Sequence, residues 1–96
     1  ARESTRFNRF YVACPVCSPT RASILTGKYP VRSGITDWIP GTEVPPDATL
    51  ETPANRLELP LAERTIAEYL KPLGYATASF GKWHLGGAGF SPTDQG

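Results

Sequence analysis

The chain has no methionine, one histidine and two cysteines among its 96 residues. Without methionine there is no initiator residue. The sequence opens on Ala1 in a polar stretch and stops at Gly96 after a glycine-rich loop. It therefore reads as a piece cut from a longer protein, with a processed chain as the alternative, and the lack of a targeting signal says nothing about location. Two cysteines cannot build a disulfide framework. Their arrangement, Cys14-Pro15-Val16-Cys17, is a C-x-x-C open to three readings: half a zinc site, a redox pair, or two unrelated cysteines. Zinc needs two further ligands, and His84 is the one histidine at hand, which weakens that reading. The redox reading is stronger, since a C-x-x-C at a helix start after a strand favours a reactive thiolate. No apolar run approaches the length of a membrane span. The formal net charge is +1, which argues for neither a nucleic acid partner nor a charged membrane surface.

What is present is a chain of 40% hydrophobic and 20% charged residues, the balance of one small globular domain. Its organising stretch is Cys17-Ser18-Pro19-Thr20-Arg21, continued by Ala22-Ser23-Ile24-Leu25-Thr26-Gly27-Lys28. The order of residue types predicts a short helix. Ser18 suits the cap, where a hydroxyl accepts from an orphan amide of the first turn. Pro19 suits the first helical position, and Gly27 the left-handed residue that closes a helix. Cys17 then lies just outside the helix N-terminus, where amides and macrodipole favour an anion. Arg21 follows four residues on, the spacing that brings two helical side chains to one face.

Before that stretch, residues 7–13 are rich in aromatic and small apolar side chains and read as a strand. It delivers the chain to Cys17 at its C-terminal end, where open α/β sheets bind ligands. From Tyr29 to Pro60 the prolines at 30, 40, 45, 46, 53 and 60 predict surface loop with one short helical turn. Asp37 and Trp38 are candidates to line a cleft there; the plainer reading is an aromatic pinning the loop to the core. Thr65-Ile66-Ala67-Glu68 has the spacing of a capping box, so a helix starts at Thr65. Ile66, Tyr69, Leu70 and Leu73 give it an apolar stripe, and Pro72 and Gly74 end it. Residues 75–80 read as a buried strand of small residues. Strand–helix followed by helix–strand is the cadence of an α/β sheet.

The second strand runs into Gly81-Lys82-Trp83-His84-Leu85-Gly86-Gly87. If extended, it presents Lys82 and His84 on one side and Trp83 on the other. Lysine beside histidine makes a donor pair suited to an anion or a leaving oxygen. On spacing alone a solvated lysine and a structural histidine is the plainer reading.

Cys17-Ser18-Pro19-Thr20-Arg21 with Leu25-Thr26-Gly27, followed by Gly81-Lys82-Trp83-His84-Leu85-Gly86, resembles the two signature motifs of the type I sulfatases in family order. The resemblance implies an alkaline-phosphatase-like α/β sandwich, a central mixed β-sheet flanked by helices. Residues 1–96 would be part of its N-terminal catalytic domain, incomplete at both ends. It implies hydrolysis of sulfate esters, with Cys17 oxidised to formylglycine by a formylglycine-generating enzyme that reads Cys17, Pro19 and Arg21. The hydrated aldehyde offers one hydroxyl to attack sulfur and a second to expel sulfate. As an oxygen ligand it suits a calcium ion better than a thiol does. Arg21 would stabilise the hydrate with its permanently charged fork, Lys82 would bind a sulfate oxygen, and His84 would hold nucleophile or sulfate and shuttle a proton.

The family's other calcium ligands would fall before Ala1 and after Gly96, for none of Asp37, Asp47 and Asp94 sits in a matching motif. The isolated piece is therefore expected neither to hold calcium well nor to turn over substrate. A sulfated small molecule or carbohydrate is the implied substrate, and periplasmic or secreted placement the implied location. Three alternatives stand beside this: a thioredoxin-like oxidoreductase using Cys14 and Cys17, a non-catalytic binder of sulfated glycans, and a phosphatase cousin on the same fold. Retention of Cys17, Pro19 and Arg21 argues against the binder, and the second motif against the oxidoreductase. The cousins typically present serine or threonine as nucleophile, and fold alone does not fix function.

Overall fold

The chain makes little regular structure, and all of it is helical among the residues described by the computed structural model, 2–96. Helix α1 spans Cys17–Thr26, α2 is the single turn Pro30–Ser33, and α3 spans Ile66–Leu70 and runs into a 3₁₀ turn, Lys71–Leu73. None is long and apolar enough to cross a membrane.

Local signals set the ends of these helices. Gly27, at φ 70°, closes α1 and returns its N–H to the Ser23 carbonyl; a side chain would be strained there. Thr65 begins α3 with a complete capping box. Its hydroxyl accepts from Glu68 N–H at 3.3 Å, and the Glu68 carboxylate accepts from Thr65 N–H at 2.7 Å. Pro72 lies in the 3₁₀ turn and Gly74 closes it, as the sequence predicts. The start of α1 differs from expectation. Val16, in extended conformation, is the N-cap and offers no side-chain bond; Cys17 is already helical. Ser18 is fully buried, and its hydroxyl accepts from Ile39 N–H at 3.1 Å instead. A tertiary donor has taken the oxygen that a cap would have used.

The two expected strands are also corrected. Residues 7–13 and 75–80 are not strands among the described residues, because no ladder joins either to a neighbour. A lone extended segment has no backbone partner to hold it. Phe7, Phe10, Tyr11 and Tyr75 are exposed, and Phe80 is 94% exposed. The apolar stripe of α3 is uncovered as well, with Ile66, Tyr69 and Leu73 open to solvent. The accessible surface is 7611 Å², against about 5,400 Å² for a compact monomer of this length.

What core there is consists of Ala22 from α1 with Ile35, Leu59 and Leu85, edged by Leu25, Ile39 and Trp83. Burying a side chain such as Leu59 or Leu85 contributes about 1.5–3 kcal/mol. Directed bonds extend this small centre. Leu59 N–H donates to the Leu85 carbonyl at 2.8 Å. The Leu59 carbonyl accepts from Gln95 Nε2 at 2.7 Å, and the Gln95 carbonyl accepts from the Thr65 hydroxyl at 2.8 Å. Across the surface, Lys28 pairs with Glu63 at 2.5 Å.

The proline-rich region is loop with one helical turn, as expected. Its first half is tied down by side chains. Asn55 Oδ1 accepts from Thr36 and Asp37 N–H at 2.9 and 3.1 Å. Asp37 accepts from Trp38 N–H, Thr42 N–H and the Thr42 hydroxyl at 2.7, 3.1 and 2.7 Å. The Thr42 hydroxyl bond, then the Trp38 amide, hold its carboxyl below the usual 3.8. Ile39, not Trp38, packs at the core.

Two outcomes follow. Gly86, at φ 126°, leaves no room for a side chain: an added Cβ would lie 2.6 Å from Phe90 Cβ and 2.9 Å from Glu58 Cβ. Gly86→Ala in the intact protein should cost at least about 2 kcal/mol in a urea melt, and Gly87→Ala, which meets nothing within 4 Å, about 0.5 kcal/mol or less. Equal costs would refute the packing. Because the folded Asp37 carboxyl titrates below 3.8, its hold on the loop is present above that pH and is lost as pH falls through the lower folded value. An NMR titration should move the Thr42 amide with a midpoint below 3.8, a step absent in Asp37→Asn; a midpoint at or above it would contradict the assignment.

Candidate functional site

The two motifs are far apart in sequence and meet in the fold. Burial of Ser18, Pro19 and Ala22 seats one face of α1 against the core, which leaves Cys17 half-buried at the first helical position and Arg21 one turn on. Cys14 and Cys17 are both free thiols, half-buried. Cys14 is thus less enclosed than a core residue. Its carbonyl accepts from the Thr20 hydroxyl, which holds the segment before the helix against the first turn.

From α1, the Arg21 guanidinium donates through Nη1 to the Lys82 carbonyl. This is the direct bond between the first motif and the second. Arg21 Nε is buried and has no partner. Among the described residues the one ion pair is that of Lys28 with Glu63, so neither Arg21 nor Lys82 has a carboxylate partner. The Arg21 guanidinium thus lies on the first turns of α1 against the backbone of the second motif, with no acidic side chain bonded to it among the described residues. The Lys82 side chain is exposed and bonds to nothing among the described residues.

The expected alternation along the second motif breaks at His84, whose φ is 59°. Lys82 is exposed, Trp83 and His84 are half-buried and Leu85 is buried. Trp83 Nε1 donates to the Phe90 carbonyl at 2.8 Å, folding the glycine-rich turn back on the motif. His84 Nε2 bonds to the Ile39 carbonyl at 2.5 Å, and its Nδ1 is buried without a partner. The proline-rich loop thus reaches the site through the backbone of Ile39, which touches Ser18 on one side and His84 on the other. Asp37 and Trp38 turn to their own loop: the Asp37 carboxylate is taken by Thr42 and Trp38, and Trp38 Nε1 donates to Thr42 Oγ1 at 3.3 Å.

Sequence reasoning missed Ser18 as a tertiary partner and Ile39 altogether. A backbone carbonyl acts through position, and residue type carries no trace of that. Among the described residues no three His, Cys, Asp or Glu side chains gather to hold a metal ion.

Comparison with known proteins covers both motifs. The Sulfatase family profile matches residues 1–92. Human arylsulfatase A is 46% identical over 95 residues, 95% of this chain and 16% of the relative. Arylsulfatase G of Rattus norvegicus is 42% identical, covering 100% of this chain and 16% of its own length. Human steryl-sulfatase is 39% identical over 98% of this chain and 15% of its own. The crystal structure of Ps i-CgsB in complex with k-i-k-neocarrahexaose superposes with a TM-score of 0.63 at 28% identity, over 88% of this chain and 17% of that one. The chain thus spans about a sixth of the length of these relatives. With one family profile running through both motifs, and relatives alike over nearly all its residues, the chain belongs to the sulfatase family.

Proposed function

We propose that the protein carrying this chain hydrolyses sulfate esters, with Cys17 converted to formylglycine as the nucleophile. The observation that supports this best is the bond from Arg21 to the Lys82 carbonyl, which ties the backbone of the second motif to the helix that carries the first. Cys17 suits conversion: it is a free thiol outside the core, in a motif whose proline and arginine are both held in α1. The hydrated aldehyde supplies two geminal hydroxyls, one to attack sulfur and one to release sulfate. Arg21 neutralises anionic charge at the head of α1 with its planar, fork-shaped guanidinium. Lys82, free of other partners, binds a sulfate oxygen and screens charge that grows in the transition state. His84 meets the reacting oxygen through the ring nitrogen that Ile39 leaves free.

Calcium does not fit the described residues by themselves, since they form no three-ligand group and the Asp37 and Asp94 carboxylates are engaged by Thr42 and Ser91. Formylglycine at Cys17 is the one ligand proposed from this chain, and the others lie outside it. In the same way, residues 7–13 and 75–80 are proposed to pair with strands outside the chain in a mixed sheet, which would cover Phe7, Phe10 and Tyr75. The substrate is a sulfated small molecule or carbohydrate. The sugar-bound structural relative and the aryl- and steryl-sulfatases support that class. A formylglycine-generating enzyme is the maturation partner.

Peptide mass spectrometry across residues 10–21, on intact protein made beside such an enzyme, should find the aldehyde at Cys17. An unmodified thiol would defeat the nucleophile assignment, and a Cys14–Cys17 disulfide would return the site to redox chemistry. Lys82→Ala should lower kcat/KM for an aryl sulfate roughly 10²–10³-fold. Its thermal midpoint should not move, because the side chain bonds to nothing among the described residues. Unchanged turnover would remove Lys82 from the site.

A further inference from the structure

Ser18 is fully buried yet caps nothing. Its hydroxyl accepts from Ile39 N–H at 3.1 Å, and the Ile39 carbonyl bonds to His84 Nε2 at 2.5 Å. Both backbone polar groups of one loop residue are therefore held, one by each motif, while the Ile39 side chain packs at the core edge. A carbonyl oxygen has no proton to give, so Nε2 must carry one whether the ring is neutral or charged. Nδ1 is then the ring atom left to take up a proton or accept a hydrogen bond. It is buried and without a partner, which costs free energy unless a bound group satisfies it.

The backbone at His84 points the same way. Its φ of 59° lies in the left-handed region that non-glycine residues seldom adopt. Such strain persists where the surroundings over-determine a residue, and it gathers at functional sites. Here Leu85 is locked in the core on one side, and the ring is tied to Ile39 on the other.

We propose that Ser18 is a positioning residue: by holding Ile39 it fixes His84 as the Nε2–H tautomer and leaves Nδ1 to face the sulfate chemistry. Loss of the Ser18 hydroxyl frees the Ile39 amide, lets the carbonyl shift, and releases the ring to exchange tautomers. The catalytic half of this inference rests on the sulfatase reading; the tautomer half does not.

The test uses the intact, formylglycine-bearing protein labelled with ¹⁵N-histidine, with His84 signals identified by their loss in His84→Gln. The wild type should show the Nε2–H coupling pattern and a slowly exchanging Nε2 proton. Ser18→Ala should show mixed or exchange-broadened tautomers. Its kcat should fall about fivefold with KM within twofold, expressed per molecule converted at Cys17 as counted by peptide mass spectrometry. Ser18→Thr keeps the accepting oxygen and should keep the wild-type pattern. An Nδ1–H tautomer in the wild type would overturn the proposal with no variant needed. So would Ser18→Ala with unchanged pattern and kcat. A fixed tautomer lost in Ser18→Ala, in a protein that cleaves no sulfate ester, would uphold the clamp and defeat the sulfatase reading.

Discussion

The seating of Leu85 is the constraint on which the rest of the arrangement depends. Its side chain is fully buried with Ala22, Ile35 and Leu59, and its carbonyl receives the Leu59 N–H. Leu85 follows His84 directly and Lys82 by three residues, so fixing it sets the register of the whole second motif against α1. A slip by one residue would bring His84 to the core position, where an imidazole without partners is costly. The apolar contact supplies most of the free energy, and the Leu59 bond supplies direction. Neither alone would define where Lys82 and His84 come to lie.

What the sequence showed clearly was what depends on near neighbours. The Thr65–Glu68 capping box and the closures at Gly27 and Gly74 form within a turn or two of chain, and they stand where residue type predicts. Ser18 shows where such reasoning stops. Its hydroxyl is equally competent to cap α1, and the choice went to the Ile39 amide, which lies 21 residues away. The strands fail for a related reason. Residues 7–13 have the composition of a strand, but composition supplies no partner, and without a ladder Phe7 and Tyr11 remain in solvent. Motif order singled out Cys17, Arg21, Lys82 and His84 as candidates, and the fold joins the two motifs through Arg21 and the Lys82 carbonyl. It was silent on the route by which the loop reaches them, since that route is the backbone of Ile39 rather than the side chain of Trp38.

With four residues in the core of its described part, the chain has too little apolar contact to place a site accurately. Hydrophobic packing is non-directional and tolerates shifts that a reaction would not. The placement is done by polar groups that must be bonded once buried. Ser18, Thr65 and Gln95 are each fully or nearly fully buried, and each ties segments distant in sequence: Ser18 to Ile39, Thr65 to Gln95, Gln95 to Leu59. A shifted loop would strand those groups without partners, at about 1–3 kcal/mol each. The penalty for error makes the arrangement specific.

The same logic gives meaning to the groups left unsatisfied. Among the described residues four buried side-chain atoms have no partner, on Arg21, Ser23, His84 and Gln95. Gln95 keeps a bond through its Nε2, and the Ser23 hydroxyl is free to rotate. Arg21 Nε and His84 Nδ1 belong one to each motif, and their residues are already fixed through another atom, Nη1 to Lys82 and Nε2 to Ile39. Neither can turn to find a partner without giving up the bond that places it. A donor and a ring nitrogen held in that condition would be satisfied by a group arriving from outside that offers one acceptor and one donor.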